Sequence, residues 1–210
     1  MINLPSAFFV AGTDTEVGKT YVSVQLINLL VNRGQRVGVM KPVSAGCELI
    51  DGQLRNADAL SLMQASNLQQ SYEEVNPFAY LEPVSPHIAA QGAPVCLDVI
   101  AQKYKDIRAS SDCVVVEGAG GWMTPISAEL SMVDLVKALH IPVVLVVAIK
   151  LGCLNHAMLT LDGIKKSGIH LAGWIANDLD SNMAYLQENI QYLKTAIDAP
   201  LIAITSEIKK

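Results

Sequence analysis

Gly12-Thr-Asp-Thr-Glu-Val-Gly-Lys-Thr20 is the stretch on which the fold of this 210-residue chain turns. It follows a short apolar run, residues 7–11, and opens a segment of helical period, residues 19–32, in which Val22, Leu26, Leu29 and Leu30 recur on one side. A strand, a glycine-bounded turn, Gly-Lys-Thr and a helix in that order form the setting of a phosphate-binding loop. Glycine lets the backbone turn its N–H groups onto phosphate oxygens. Lys19 places a positive charge at the β- and γ-phosphates, and the Thr20 hydroxyl can bind Mg2+. The dipole of the following helix adds partial positive charge at the same point. The spacing departs from the usual loop: five residues rather than four separate Gly12 from Gly18, and Thr13 stands where a glycine is expected. Asp14 and Glu16 bring carboxylates to a phosphate site. They read either as acids favoured by the helix N-terminus, or as contacts to an amine substrate or to the magnesium shell.

Working outward, nearly continuous apolar runs at residues 36–41, 113–117, 142–148, 171–176 and 200–204 fit strands buried on both faces of a parallel sheet. Between them, residues 95–110, 132–139, 156–167 and 182–197 carry helical periodicity, with Gly34 and Gly168 just past helix ends. The alternation predicts an α/β fold: a three-layer sandwich with a mostly parallel sheet, of the P-loop NTPase type, built as one domain over residues 1–210. Residues 42–94, rich in Pro, Asn and Gln, are the least regular stretch and are expected to line a ligand site.

Composition narrows the chemistry. The chain is 51% hydrophobic and 17% charged, with a net charge of −5 and no Lys/Arg cluster, which argues against nucleic acid as a partner. The longest apolar run, residues 143–149, falls far short of the roughly 20 residues of a membrane span. The N-terminus shows no basic region followed by an apolar stretch. A cytoplasmic protein that binds small molecules and a second copy of itself is expected. Cys47, Cys96, Cys113 and Cys153 are scattered, as reduced thiols are. His87, His140, His156 and His170 lack metal-ligand spacing.

Three polar groups end apolar strands, where open parallel sheets bind ligands. Lys41, in Met-Lys-Pro-Val-Ser, is aimed at the same edge as the phosphate loop. Glu117, in Val-Val-Val-Glu-Gly-Ala-Gly-Gly121, is placed as the magnesium-side carboxylate of a phosphate-loop enzyme, and the glycines after it allow close approach of a ligand. Asn177 presents a donor and an acceptor that can pair with an adenine edge, or else forms a turn with Asp178. Asp58, taken alone, reads as a helix cap or a surface acid.

These motifs resemble the dethiobiotin synthetase family. The matching blocks are residues 12–20, Lys-Pro-Val at 41–43, Leu-Arg-Asn-Ala-Asp at 54–58 and Glu-Pro-Val-Ser-Pro-His at 82–87. They continue with Val-Glu-Gly-Ala-Gly-Gly-Trp at 116–122, Ile-Lys-Leu-Gly-Cys-Leu-Asn-His-Ala-Met-Leu-Thr at 149–160, and Leu-Ala-Gly-Trp-Ile-Ala-Asn-Asp at 171–178. The resemblance implies a ligase of biotin biosynthesis that closes a cyclic urea on 7,8-diaminononanoate from CO2, using ATP and Mg2+. It implies Lys41, Lys19 and Glu16 as catalytic residues, and Thr20, Asp58 and Glu117 as magnesium ligands. ATP would be held by Thr13, Glu16, Val17, Gly18, Lys19, Thr20, Tyr21, Asp58, Glu117, Gly118, Ala119, Gly120 and Asn177. Substrate would be held by Thr15, Lys41 and Ser44 and, from the partner of a homodimer, by Leu151, Gly152, Cys153 and Asn155. The chain departs from the family pattern twice. Ser44 and Ala45 stand in exchanged order after Lys-Pro-Val, and residues 203–210 lack the family's usual Gly-x-x-Pro-type segment, so relaxed base selectivity is expected. Competing readings are a partitioning-type switch ATPase, against which Asp14 stands in place of that group's signature lysine, and a relative that binds nucleotide without catalysis.

Overall fold

The computed structural model describes residues 2–90, 92–178 and 183–208. In chain order the elements are β1 (Ala7–Gly12), α1 (Lys19–Asn32), β2 (Val37–Met40), β3 (Val43–Ser44), β4 (Glu48–Ile50), β5 (Gln53–Arg55), α2 (Ala57–Ala65), α3 (Tyr72–Val75) and β6 (Phe78–Ala79). They continue with α4 (Pro86–Ala89), α5 (Leu97–Ala109), β7 (Cys113–Glu117), α6 (Met132–Leu139), β8 (Val143–Ala148), α7 (Cys153–Ser167), β9 (Leu171–Asn177), α8 (Leu186–Ala196) and β10 (Leu201–Ile204). Six strands form one parallel sheet in the order β10-β9-β8-β1-β7-β2, with β1 central.

Because side chains alternate across a strand, β1 supplies both faces of the core. Phe8 and Val10 meet Val22, Leu26 and Ile27 of α1 and Leu62 of α2 on one side. Phe9 and Ala11 join Ile100 and Ile107 of α5, Leu135 of α6, Ile164 of α7 and Leu193 of α8 on the other. The result is the expected sandwich, with helices on both faces of a parallel sheet. No helix among the described residues is long and apolar enough to cross a membrane.

Element limits follow the sequence reading closely where the pattern is strong, and depart from it for local reasons. β2 ends at Met40 rather than Lys41, because the Lys41 N–H pairs outside the sheet, with the Val75 carbonyl (2.8 Å). α7 begins three residues before residue 156, since Gly152 takes a left-handed conformation (φ 90°) and Cys153 joins the buried stripe of Ala157, Thr160 and Ile164. The expected start of the last helix, Asn182, lies outside the described residues, and α8 is seen from Leu186. The irregular stretch 42–94 contains a small antiparallel hairpin (β4–β5), a short parallel pair (β3–β6) and α2, capped by Asn56.

Candidate active site

Gly18 caps α1 in a left-handed conformation (φ 84°) and offers no side-chain cap, so the first N–H groups of the helix remain available to an anion. Glu16 is also left-handed (φ 58°), a strained position for a residue with a Cβ. Strain of this kind concentrates where a loop is shaped for a ligand. The Thr13 N–H donates to Val146 O on the neighbouring β8 (3.2 Å), and Asp14 Oδ1 accepts from the Thr15 N–H (2.7 Å), so one of the loop's acids orders the loop itself. Lys19 Nζ donates to the Asp14 carbonyl (2.9 Å). Burial, and then the charge of Lys41, push its pKa down to about 8 against the pull of Glu117, Asp58 and Asp14.

The strand ends converge beside this loop. Lys41 Nζ donates to Glu117 Oε1 (2.7 Å), to Asp58 Oδ2 (2.9 Å) and to the Gly118 carbonyl (3.4 Å). Burial opposes its charge, yet Glu117 and then Asp58 hold its pKa above the ordinary lysine value. Burial likewise works against the Asp58 carboxylate, but the charge of Lys41 and its hydrogen bond keep the pKa below the usual range. The Thr20 hydroxyl donates to Glu117 Oε1 (2.8 Å). Gly118 is required at close range: a Cβ there would stand 2.7 and 2.8 Å from the Phe9 ring.

A cavity of about 890 Å³ opens on this cluster. It gathers Thr15, Glu16, Gly18, Lys19, Thr20, Lys41, Ser44, Asp58, Ala119 and Gly120 of the residues expected from sequence. Its other wall is Pro83–Pro86, part of the 82–87 block within the irregular stretch expected to line a ligand site, together with Thr124 and Pro125. Glu117 is fully buried beneath the cavity. Thr13 lines a separate groove with Trp122 and Thr160, and Tyr21 a groove with Ser61 and Gln64 between α1 and α2. The Val17 side chain is buried, and its carbonyl accepts from Asn177 Nδ2 (2.8 Å). Asn177 also accepts from the Thr205 hydroxyl through Oδ1 (2.9 Å) and has no exposed surface, so here its carboxamide ties the phosphate loop to the segment after β10. Ser44 is equally internal, its hydroxyl donating to Asn76 Oδ1 (2.7 Å).

Leu151, Gly152 and Asn155 are exposed around the N-terminus of α7 and do not reach the cavity of their own chain, while the Cys153 thiol turns into the core.

Among the described residues no group of three or more His, Cys, Asp or Glu side chains is gathered for a metal. The donors present are a mixed oxygen set: the Thr20 hydroxyl, Asp58, and Glu117 Oε2, which is buried with no hydrogen-bond partner. That set fits Mg2+, which keeps waters and phosphate oxygens in its shell and needs only one or two carboxylates from protein. It does not fit a softer metal.

Comparison with known proteins gives three kinds of likeness. A family model described as an AAA domain matches residues 6–210. The chain is 47% identical over 197 residues to the ATP-dependent dethiobiotin synthetase BioD of Xylella fastidiosa (strain 9a5c), covering 93% of this chain and 87% of that protein. It is 44% identical to BioD 1 of Salmonella typhi (93% and 86% covered). Among solved structures, the septum site-determining protein MinD complexed with Mg-ADP from Pyrococcus horikoshii OT3 superposes with a TM-score of 0.60 at 13% identity (94% and 80% covered). The signal recognition particle receptor FtsY from Elizabethkingia anophelis in complex with GDP gives 0.54 at 14% identity, over 96% of this chain. The chain spans 57% of that receptor's length. At such identities the structural likeness is one of fold alone.

Proposed function

The chain belongs to the ATP-dependent dethiobiotin synthetase family, and from that membership we propose how its own residues divide the work. The enzyme is a ligase that uses ATP to close the ureido ring of dethiobiotin, a step of biotin biosynthesis. One amine of 7,8-diaminononanoate adds to CO2 and loses a proton, giving a carbamate. A carbamate oxygen attacks the γ-phosphorus and ADP leaves. The second amine then attacks the carbonyl carbon of the mixed anhydride, the ring closes and phosphate departs.

Each step forms or moves negative charge, so positioned cations and N–H groups suffice and no side-chain nucleophile is needed. Lys19 and the free N–H groups of α1 hold the β- and γ-phosphates. Lys41 faces the carbamate and neutralises it as it approaches the γ-phosphate. Thr20, Asp58 and Glu117 would hold Mg2+, which would supply Lewis-acid neutralisation of the charge on the transferring phosphoryl group. Glu16 lies at the mouth of the cavity, where its carboxylate suits a diamine. The observation that supports this reading best is the meeting of Lys41, Asp58, Glu117 and Thr20 beside the loop, within 2.7–2.9 Å of one another along the chain of contacts.

The placement of Leu151, Gly152 and Asn155 outside their own cavity supports a homodimer in which a partner copy completes the substrate site. The test of the reaction is ADP release measured with diaminononanoate and bicarbonate omitted in turn. Release should need both; equal release without the diamine removes the ligase reading.

A further inference from the structure

Lys41 lies one residue beyond the last paired residue of β2, and Pro42 after it has no N–H. The sheet therefore does not fix the Lys41 peptide; a segment of the irregular stretch does. The Lys41 N–H donates to Val75 O (2.8 Å), and the Lys41 carbonyl accepts from Asn76 Nδ2 (2.6 Å). Asn76 is itself buried, and its Oδ1 accepts from both the Ser44 hydroxyl (2.7 Å) and the Tyr72 hydroxyl (2.8 Å). The Tyr72 oxygen in turn accepts from the Asn56 N–H (2.7 Å). Asn56 caps α2 by accepting from the Ala59 N–H (3.2 Å), and Asp58 stands in the first turn of that helix.

We infer that Asn76, with Tyr72 as its relay, is a positioning residue that sets Lys41 and Asp58 in one frame. The two residues that make the 2.9 Å pair come from different elements, and this buried carboxamide is the point at which their backbones are joined. The Asn76 amide nitrogen holds the Lys41 carbonyl beside the Val75 contact, and its oxygen takes the hydroxyls on the side that leads to α2, so loss of this carboxamide loosens both ends of the pair. Ser44 belongs to the same hub. Its exchange with Ala45 thus has a local reason: a hydroxyl at position 44 satisfies Asn76 from inside.

The inference rests on the roles proposed for Lys41 and Asp58, and its test separates the two. Asn76→Ala and Tyr72→Phe are made in the full chain. In steady state, Asn76→Ala should lower kcat by about 10- to 100-fold, the scale of a misplaced catalytic group, while the KM for ATP stays within about threefold. Tyr72→Phe should raise the Mg2+ concentration needed for half-maximal rate. Calorimetric titration with ATP, with and without Mg2+, gives a second readout independent of turnover. Both variants should lose much of the Mg2+-dependent gain in affinity and keep their Mg2+-free affinity. Where Asn76→Ala does not fold, Asn76→Asp replaces the donor at equal size and is measured in its place. A kcat within about twofold of the native value overturns the inference. So do equal losses with and without Mg2+ that track a lowered melting temperature, since a purely structural role gives that pattern. If the native protein releases ADP without the diamine, the ligase reading fails, and the calorimetric arm still decides the role of Asn76.

Discussion

Lys19 and Lys41 bring the same charge into one cavity under opposite constraints. Among the described residues Lys19 has only the Asp14 carbonyl as its hydrogen-bond partner, and burial with Lys41 nearby lowers its pKa to about 8. A triphosphate supplies the missing counter-charge and raises that value, so ATP binding takes up a proton wherever the free protein has lost it. Affinity for ATP should therefore fall as pH rises through about 8. Calorimetry at pH above 8 in buffers of different ionisation heat reads the uptake directly, and a binding heat independent of buffer would contradict it. Lys41 lies between two carboxylates and stays charged throughout that range. With its folded pKa raised, its contribution to stability is fully present below the unfolded value of 10.5 and is lost only as pH climbs through the folded one. Removing it strands Glu117, which is wholly buried; breaking a buried pair in this way costs about 3–5 kcal/mol. Asp58 adds less, since its side chain is 44% exposed. Lys41→Ala should still bind nucleotide, lose turnover and melt lower. Mg2+ should raise its melting temperature more than that of the native protein. Retained turnover would take Lys41 out of the reaction.

At the scale of elements, the site depends on how closely β1 and the turn after β7 approach. Gly118→Ala would drive a Cβ to 2.7 Å from the Phe9 ring, itself buried in the core. Overpacking of this kind costs about 1–3 kcal/mol, so the melting temperature should drop by roughly 2–12 °C and turnover should fall as Glu117 shifts. An unchanged melting curve would show that the turn has slack. The same scale explains what the sequence could disclose. α1, β7 and α6 have the limits read from periodicity, because long apolar runs and helical stripes are local properties. The β4–β5 hairpin is not visible in residues 42–94, since its strands are three residues each and none is buried. α2 is set apart by its Asn56 cap and by the burial of Ala59 and Leu62 against the core, rather than by a pattern that the surrounding irregular stretch displays. Asp58 could be assigned only through the family resemblance, since its partner Lys41 is 17 residues away. Asn76, 35 residues from Lys41, carries no signal at all. Asn177 was legible as a polar strand end, but its partners Val17 and Thr205 are 160 and 28 residues away, and no local rule could name them.

Over the whole molecule, the cavity and the α7 block raise the question of which chain supplies which residue. Lys41 and Asp58 lie inside the cavity, while Asn155 and Leu151, the latter 95% exposed, lie outside it. Exposed Met123 and Leu159 line a common groove near the same helix, an apolar surface that a second copy could cover. In a two-fold dimer a residue of one chain meets a different residue of the other, and the reciprocal contact repeats across the axis, so a dimer through this surface would form two equivalent sites, each taking Lys41 from one chain and Asn155 from the other. Two inactive variants then complement one another. Unfolded and refolded together in equal amounts, Lys41→Ala and Asn155→Ala chains pair at random, and about half the dimers are mixed. In a mixed dimer one site carries both defects and the other carries neither, so about a quarter of native activity should return. If each chain held its whole site, mixing would return only the average of the two variants. The mixture would then bind ATP as before and show no recovered turnover, and the α7 block would need another role.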